Sequence, residues 1–149
     1  MKPRSIELNS FISYKNQTIV PFSPGVPIVV PYGAEVLIRV KNSQPLEKAS
    51  LHVHGVNKQN MWYTDGAPFI QQCPIDASLS YSYRFIADTA GTHWYHGHTA
   101  FDRSDGFLGG FIVKHPDETV YDRDYLAVIQ VIIVFTQLVI ETIANQTTF

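Results

Sequence analysis

The chain has 149 residues, 45% of them hydrophobic and 13% aromatic, with nine glycines and nine prolines. That length fits one domain with its own core, and the turn formers and aromatics favour short strands over helices. Eleven basic residues against thirteen acidic ones give a net charge of -2 with the signs interspersed, which excludes an electrostatic footprint for nucleic acid.

Met1-Lys2-Pro3-Arg4-Ser5 has the charges of a leader's first region, but Ile6-Glu7-Leu8-Asn9-Ser10 supplies no apolar run behind it, so no export signal is visible. Asn16-Gln17-Thr18 and Asn145-Gln146-Thr147 match the short N-glycosylation pattern. Thr18 to Val20 and Ile28 to Val30 read as short strands, and Tyr32-Gly33 as a turn. Glu35 to Lys41 alternates, placing Val36, Ile38 and Val40 inward and Glu35, Arg39 and Lys41 outward. A polar loop from Asn42 to Lys48 leads to a strand over Ser50 to His54. Ser80 to Phe85 alternates with its aromatics on one side, and Thr92 to His96 and Phe107 to Val113 complete the set. Short strands separated by turns, without a convincing helical period, predict an all-β fold: one Greek-key β-sandwich domain.

The chemical signal lies in two histidine pairs of equal spacing, His52-Val53-His54 and His96-Gly97-His98. Residues i and i+2 of a strand project from one face, so each pair can converge on a point. Imidazole coordinates zinc, copper, iron and nickel in its neutral form, which predominates near pH 7. The spacing therefore predicts a transition-metal site without naming the metal. Parity puts Trp94, His96 and His98 on one face and His93, Tyr95 and Gly97 on the other, which makes His93 a hydrogen-bonded bystander. His115, before Pro116, reads as a solvated loop residue. Asp65-Gly66 reads on its own as a turn pair. The sole cysteine, Cys73, has no histidine close by in sequence, so no blue-copper ligand set is visible.

Four segments in order carry a family resemblance: His52-Val53-His54-Gly55; Thr64-Asp65-Gly66-Ala67-Pro68-Phe69-Ile70-Gln71-Gln72-Cys73-Pro74-Ile75; Gly91-Thr92-His93-Trp94-Tyr95-His96-Gly97-His98; and Asp105-Gly106-Phe107-Leu108-Gly109-Gly110. Together they resemble the first domain of a multicopper oxidase, with the laccases, especially those of animals, as the nearest branch. The resemblance runs from about Pro3 to about Gln130 and implies a cupredoxin-like sandwich over 1–130, leaving 131–149 as an unmatched apolar tail. It also implies copper: the position matching His52 binds the type 2 copper, that matching His54 a type 3 copper, and those matching His96 and His98 the type 3 pair. Asp65 matches an acid beside the cluster that helps deliver protons to reduced oxygen. Cys73 matches a position often bonded to a later domain.

By this resemblance the chain supplies half of a trinuclear copper cluster, with dioxygen and a small reducing substrate as reactants. The other half, the blue copper and the substrate pocket belong to missing downstream domains. The expected product is a fragment, inactive alone, of an enzyme that works outside the cell or in the secretory pathway and oxidises phenols, related aromatics or metal ions. Two other readings are a copper-binding module without catalysis and a zinc hydrolase built on three of the histidines. A membrane span is disfavoured, because Gln130, Thr136, Gln137 and Glu141 interrupt the apolar stretch.

Overall fold

The computed structural model describes residues 27–99, 102–103, 106–119 and 125–129 with their side chains, and residues 10–13, 20–22, 130–134 and 137–145 as backbone. The charged N-terminal stretch and Asn16 lie outside the described residues, as do Thr18 and Ile19 of the first expected strand. Strand β2 covers Val20–Phe22, and it pairs with a strand the sequence pattern did not reveal, β1 at Ser10–Ser13.

The remaining strands are β3 (Ile28–Pro31), β4 (Glu35–Lys41), β5 (Leu51–His54), β6 (Ser80–Ile86), β7 (Gly91–Gly97), β8 (Leu108–Lys114), β9 (Leu126–Val134) and β10 (Gln137–Asn145). Two four-stranded sheets, β2-β1-β4-β6 and β3-β8-β7-β5, make the sandwich, while β9 and β10 pair as a separate hairpin. Among the described strands β3 and β8 run parallel, and the other strand pairings are antiparallel.

The alternation read in β4 is the alternation observed: Val36, Ile38 and Val40 are fully buried. Tyr83 and Phe85 of β6 join them from the same sheet, against Leu51, Val53, Tyr95, Phe111 and Val113 from the other. Each such side chain contributes on the order of 1.5–3 kcal/mol by leaving water, so the two inner faces supply most of the drive to fold. A hydrogen bond joins the two sheets inside the core: the Leu51 N–H donates to the Tyr83 hydroxyl at 2.9 Å. Burial raises the Tyr83 hydroxyl to about 12, keeping it neutral and available to accept.

Strand β9 crosses position 130 without a break. At its start the Leu126 side chain lies against Gly110, where a Cβ would collide with it. Among the described residues no helix is long and apolar enough to cross a membrane.

Candidate metal centre

Strands β5 and β7 are antiparallel neighbours in register, with His52 opposite His96 and His54 opposite Trp94. Because Leu51, Val53 and Tyr95 point into the core, the residues between them point outward. The histidine pairs therefore meet on the outer face of their sheet. The His52 ring centre lies 5.3 Å from those of His54 and His96 and 5.6 Å from that of His98. One ligand atom each from His52, His54 and His96 lies within 4.8 Å of the others. His98, exposed and just past the end of β7, shares the face with its ring 5.7 Å from His96 but falls outside that group of three.

The hydrogen bonds select which nitrogen is free. A carbonyl can only accept, so the nitrogen that meets it must carry the proton. His96 donates from Nδ1 to the Gly97 carbonyl at 2.8 Å, and His52 donates from Nδ1 to the Asp65 carbonyl at 2.6 Å. Both rings thus keep the Nε2 lone pair for a ligand. For His96 that atom is buried with no hydrogen-bond partner. A buried polar atom normally finds one, and an imidazole nitrogen left without one, on a ring 5.3 Å from that of His52 and 5.9 Å from that of His54, suits coordination of a transition metal. Burial lowers His96 to about 4, against the opposing pull of the Gly97 bond, and lowers His52 as well. Both imidazoles are consequently neutral at pH 7, the form a metal requires.

The residues around the cluster hold its rings. Trp94 stacks on His54 at 5.4 Å and lies 4.2 Å from His96. His93 points elsewhere, donating from Nε2 to the Thr89 carbonyl at 2.8 Å, and Gly55 makes room for it, since a Cβ there would come within 2.7 Å of His93 Nδ1. His115 is half exposed beside Asp117.

Asp65 closes a one-turn 3-10 helix, Trp62–Thr64, and is followed by Gly66 at a φ of 89°. A Cβ on Gly66 would overlap the Leu51 carbonyl, so glycine lets this loop press flat on β5 and set the Asp65 carbonyl over His52. The Asp65 carboxylate reaches the same ring, with Oδ1 3.4 Å from His52 Nδ1. Two neighbours of that carboxylate carried no signal in the sequence. Gln71 donates to Oδ2 at 3.3 Å, and the Lys58 ammonium lies 3.6 Å from Oδ1. Burial lowers Lys58 to about 8, a shift that Asp65 opposes, so it stays mostly charged at pH 7. Cys73 is exposed and unbonded.

On the same outer face, a cavity of about 540 Å³ lies between Trp94 and Leu108 of the sheet and residues Leu126 to Ile129 of β9.

A family profile described as multicopper oxidase matches residues 8–118. An oxidoreductase named OpS5 from Beauveria bassiana is 39% identical over 101 residues, covering 68% of this chain and 17% of its own length. Laccase-1 of Botryotinia fuckeliana is 36% identical over 101 residues, covering 68% of this chain and 18% of its own. The chain thus spans less than a fifth of the length of these relatives. Both are fungal, so the likeness does not single out the animal laccases. The crystal structure of Fet3p, described as a multicopper oxidase that functions in iron import, aligns with a TM-score of 0.63 at 33% identity, over 77% of this chain and 23% of that one.

Proposed function

This chain belongs to the multicopper oxidase family, and from that premise we propose that its cupredoxin-like domain supplies half of the trinuclear copper cluster of a laccase-like oxidase. The observation that carries the reading is the buried, unpartnered Nε2 of His96, on a ring that offers one ligand atom within 4.8 Å of those of His52 and His54. In this reading His52 holds the type 2 copper, His54 one type 3 copper, and His96 and His98 the type 3 pair. His98 reaches its copper from the strand end, where a further domain can close over it.

Copper held there would supply the redox chemistry that reduces dioxygen to water while phenols, related aromatics or metal ions are oxidised. The work of this chain's residues is to prepare the ligands and move protons. The Gly97 and Asp65 carbonyls hold the Nδ1 protons of His96 and His52, so that both rings present Nε2. Trp94 keeps His54 and His96 in orientation. The Asp65 carboxylate, beside His52 and partly open to water, takes a proton from solvent and passes it into the site. The remaining ligands, the blue copper and the donor pocket belong to further cupredoxin domains, and exposed Cys73 is the candidate for a disulfide to one of them. The cupredoxin unit extends to about residue 130, and the oxidase works outside the cell or in the secretory pathway.

A second reading, a copper-binding module without catalysis, is favoured by the convergence of three ligand atoms from this chain alone. Copper and zinc are offered together to the purified chain, and bound metal is quantified with and without His96→Ala. The cluster reading expects copper over zinc, an electron paramagnetic resonance spectrum split by imidazole nitrogens, and loss of both in the variant. Zinc held in preference, or copper binding indifferent to His96, removes it. Copper that survives prolonged dialysis against a chelator supports the module.

A further inference from the structure

Lys58 lies in a run that looks solvated, Asn57-Lys58-Gln59-Asn60, yet only 3% of its side chain is exposed. Its ammonium donates to the Thr64 carbonyl at 3.2 Å, lies 3.6 Å from Asp65 Oδ1, and sits 5.0 Å from the centre of the Phe85 ring. A lysine at a loop ordinarily keeps its head in water, because withdrawing the charge is costly unless partners replace the hydration. Here a carbonyl, a carboxylate and an aromatic face do so.

Asp65 has two acceptors near one donor. Its carbonyl oxygen is 2.6 Å from His52 Nδ1 and its Oδ1 is 3.4 Å from the same atom. A carboxylate free to swing would compete with the carbonyl for that proton, and the ring would turn with it. Gln71 restrains one carboxylate oxygen and Lys58 the other.

We propose that Lys58, anchored on the Thr64 carbonyl, is a positioning residue that holds the Asp65 carboxylate in place, so that the Asp65 carbonyl fixes the His52 ring with Nε2 directed to copper. The inference rests on His52 being a copper ligand, as proposed above. It gives the acid and the ligand a shared support, which neither histidine spacing nor the Asp-Gly pair implies.

The test is a double-substitution cycle in the full chain with Lys58→Met, which keeps the length and removes the charge, and Asp65→Asn, which keeps the backbone carbonyl. Copper(II) affinity is the readout, with thermal unfolding as the control for folding. Lys58→Met should weaken copper binding about tenfold, the scale seen when partners behind metal ligands are lost, and less than about threefold when Asp65 is already Asn. No loss, or an equal loss in both backgrounds, overturns the proposal, because a merely structural lysine would act independently of Asp65. If Lys58→Met does not fold, nitrogen-15 spectra of the unsubstituted chain decide. The Lys58 ammonium protons should exchange slowly enough to be seen and show contacts to Asp65; their absence overturns it. If the unsubstituted chain takes up no copper, the copper reading fails, and the metal-free His52 spectrum tests Lys58 alone. A single Nδ1-protonated form that persists unchanged in Lys58→Met refutes positioning, and a mixture of ring forms supports it.

Discussion

Replacing Gly66 with Ala tests the link between backbone shape and metal site. Its φ of 89° is one that side chains rarely adopt, and the added Cβ would overlap the Leu51 carbonyl. Holding a residue with a side chain in such a conformation costs on the order of 1–3 kcal/mol. The overlap must also be relieved, either by shifting Leu51 or by lifting the Asp65–Gly66 segment from β5. Leu51 is fully buried and its N–H is held by Tyr83, so the loop is the part that yields. Lifting it withdraws the Asp65 carbonyl from His52 Nδ1. For a chain of this size, roughly 2–4 °C of melting temperature accompanies each kcal/mol, so Gly66→Ala should lower the midpoint by about 2–12 °C. Copper affinity should fall about 10–100-fold, as for other losses behind a metal ligand. The assay pairs thermal unfolding of the metal-free chain with copper titration at a temperature where both proteins are folded. Lowered stability with unchanged copper affinity would refute the coupling of this turn to His52; unchanged stability would refute the steric argument itself.

Tyr83→Phe should destabilise the chain by about 1–3 kcal/mol in denaturant titrations near pH 7, because the buried Leu51 N–H loses its acceptor. The unsubstituted chain has a further signature: a tyrosine raised from 10 to about 12 favours folding fully below pH 10, and that contribution drains away as the pH rises through 12. Stability curves between pH 9 and 12 should therefore fall less steeply for Tyr83→Phe, and parallel curves would contradict the assignment. Ile38→Ala opens the fully buried centre of β4 and should cost about 2–5 kcal/mol, read from the urea midpoint; a loss under about 1 kcal/mol would mean that the sandwich can collapse around the gap. In an oxidase containing this domain, Asp65→Ala should slow oxygen reduction while copper content stays intact, whereas loss of copper would reassign Asp65 to structure.

Much of the site was readable from spacing because a strand has a period of two. His52 and His54 had to share a face, as did His96 and Trp94, and the same parity sent Tyr95 inward and left His93 to a local hydrogen bond. Asp65 could be singled out only by its family motif, since Asp-Gly pairs are common turn formers. Lys58 and Gln71 were invisible. A lysine among Asn, Gln and Asn reads as solvated, and nothing local indicates that the chain folds it under the Asp65 loop. Strand β1 was missed for a related reason: Ser10–Ser13 is too short for alternation to stand out, and its partners β2 and β4 create it as a strand.

The sequence by itself determined the all-β class, the inward residues of β4 and β6, and the pairing of histidines by face, because side-chain alternation along an extended chain is a local property. It left open how the pairs meet. That β5 lies beside β7 with His52 opposite His96 depends on contacts between segments over 40 residues apart, which no local pattern encodes. Tertiary structure also chose the reactive nitrogens, since only packing could place the Asp65 carbonyl on His52 and leave His96 Nε2 buried without a partner. Local chemistry specified which side chains could serve as ligands; the sheet decided that three of them converge.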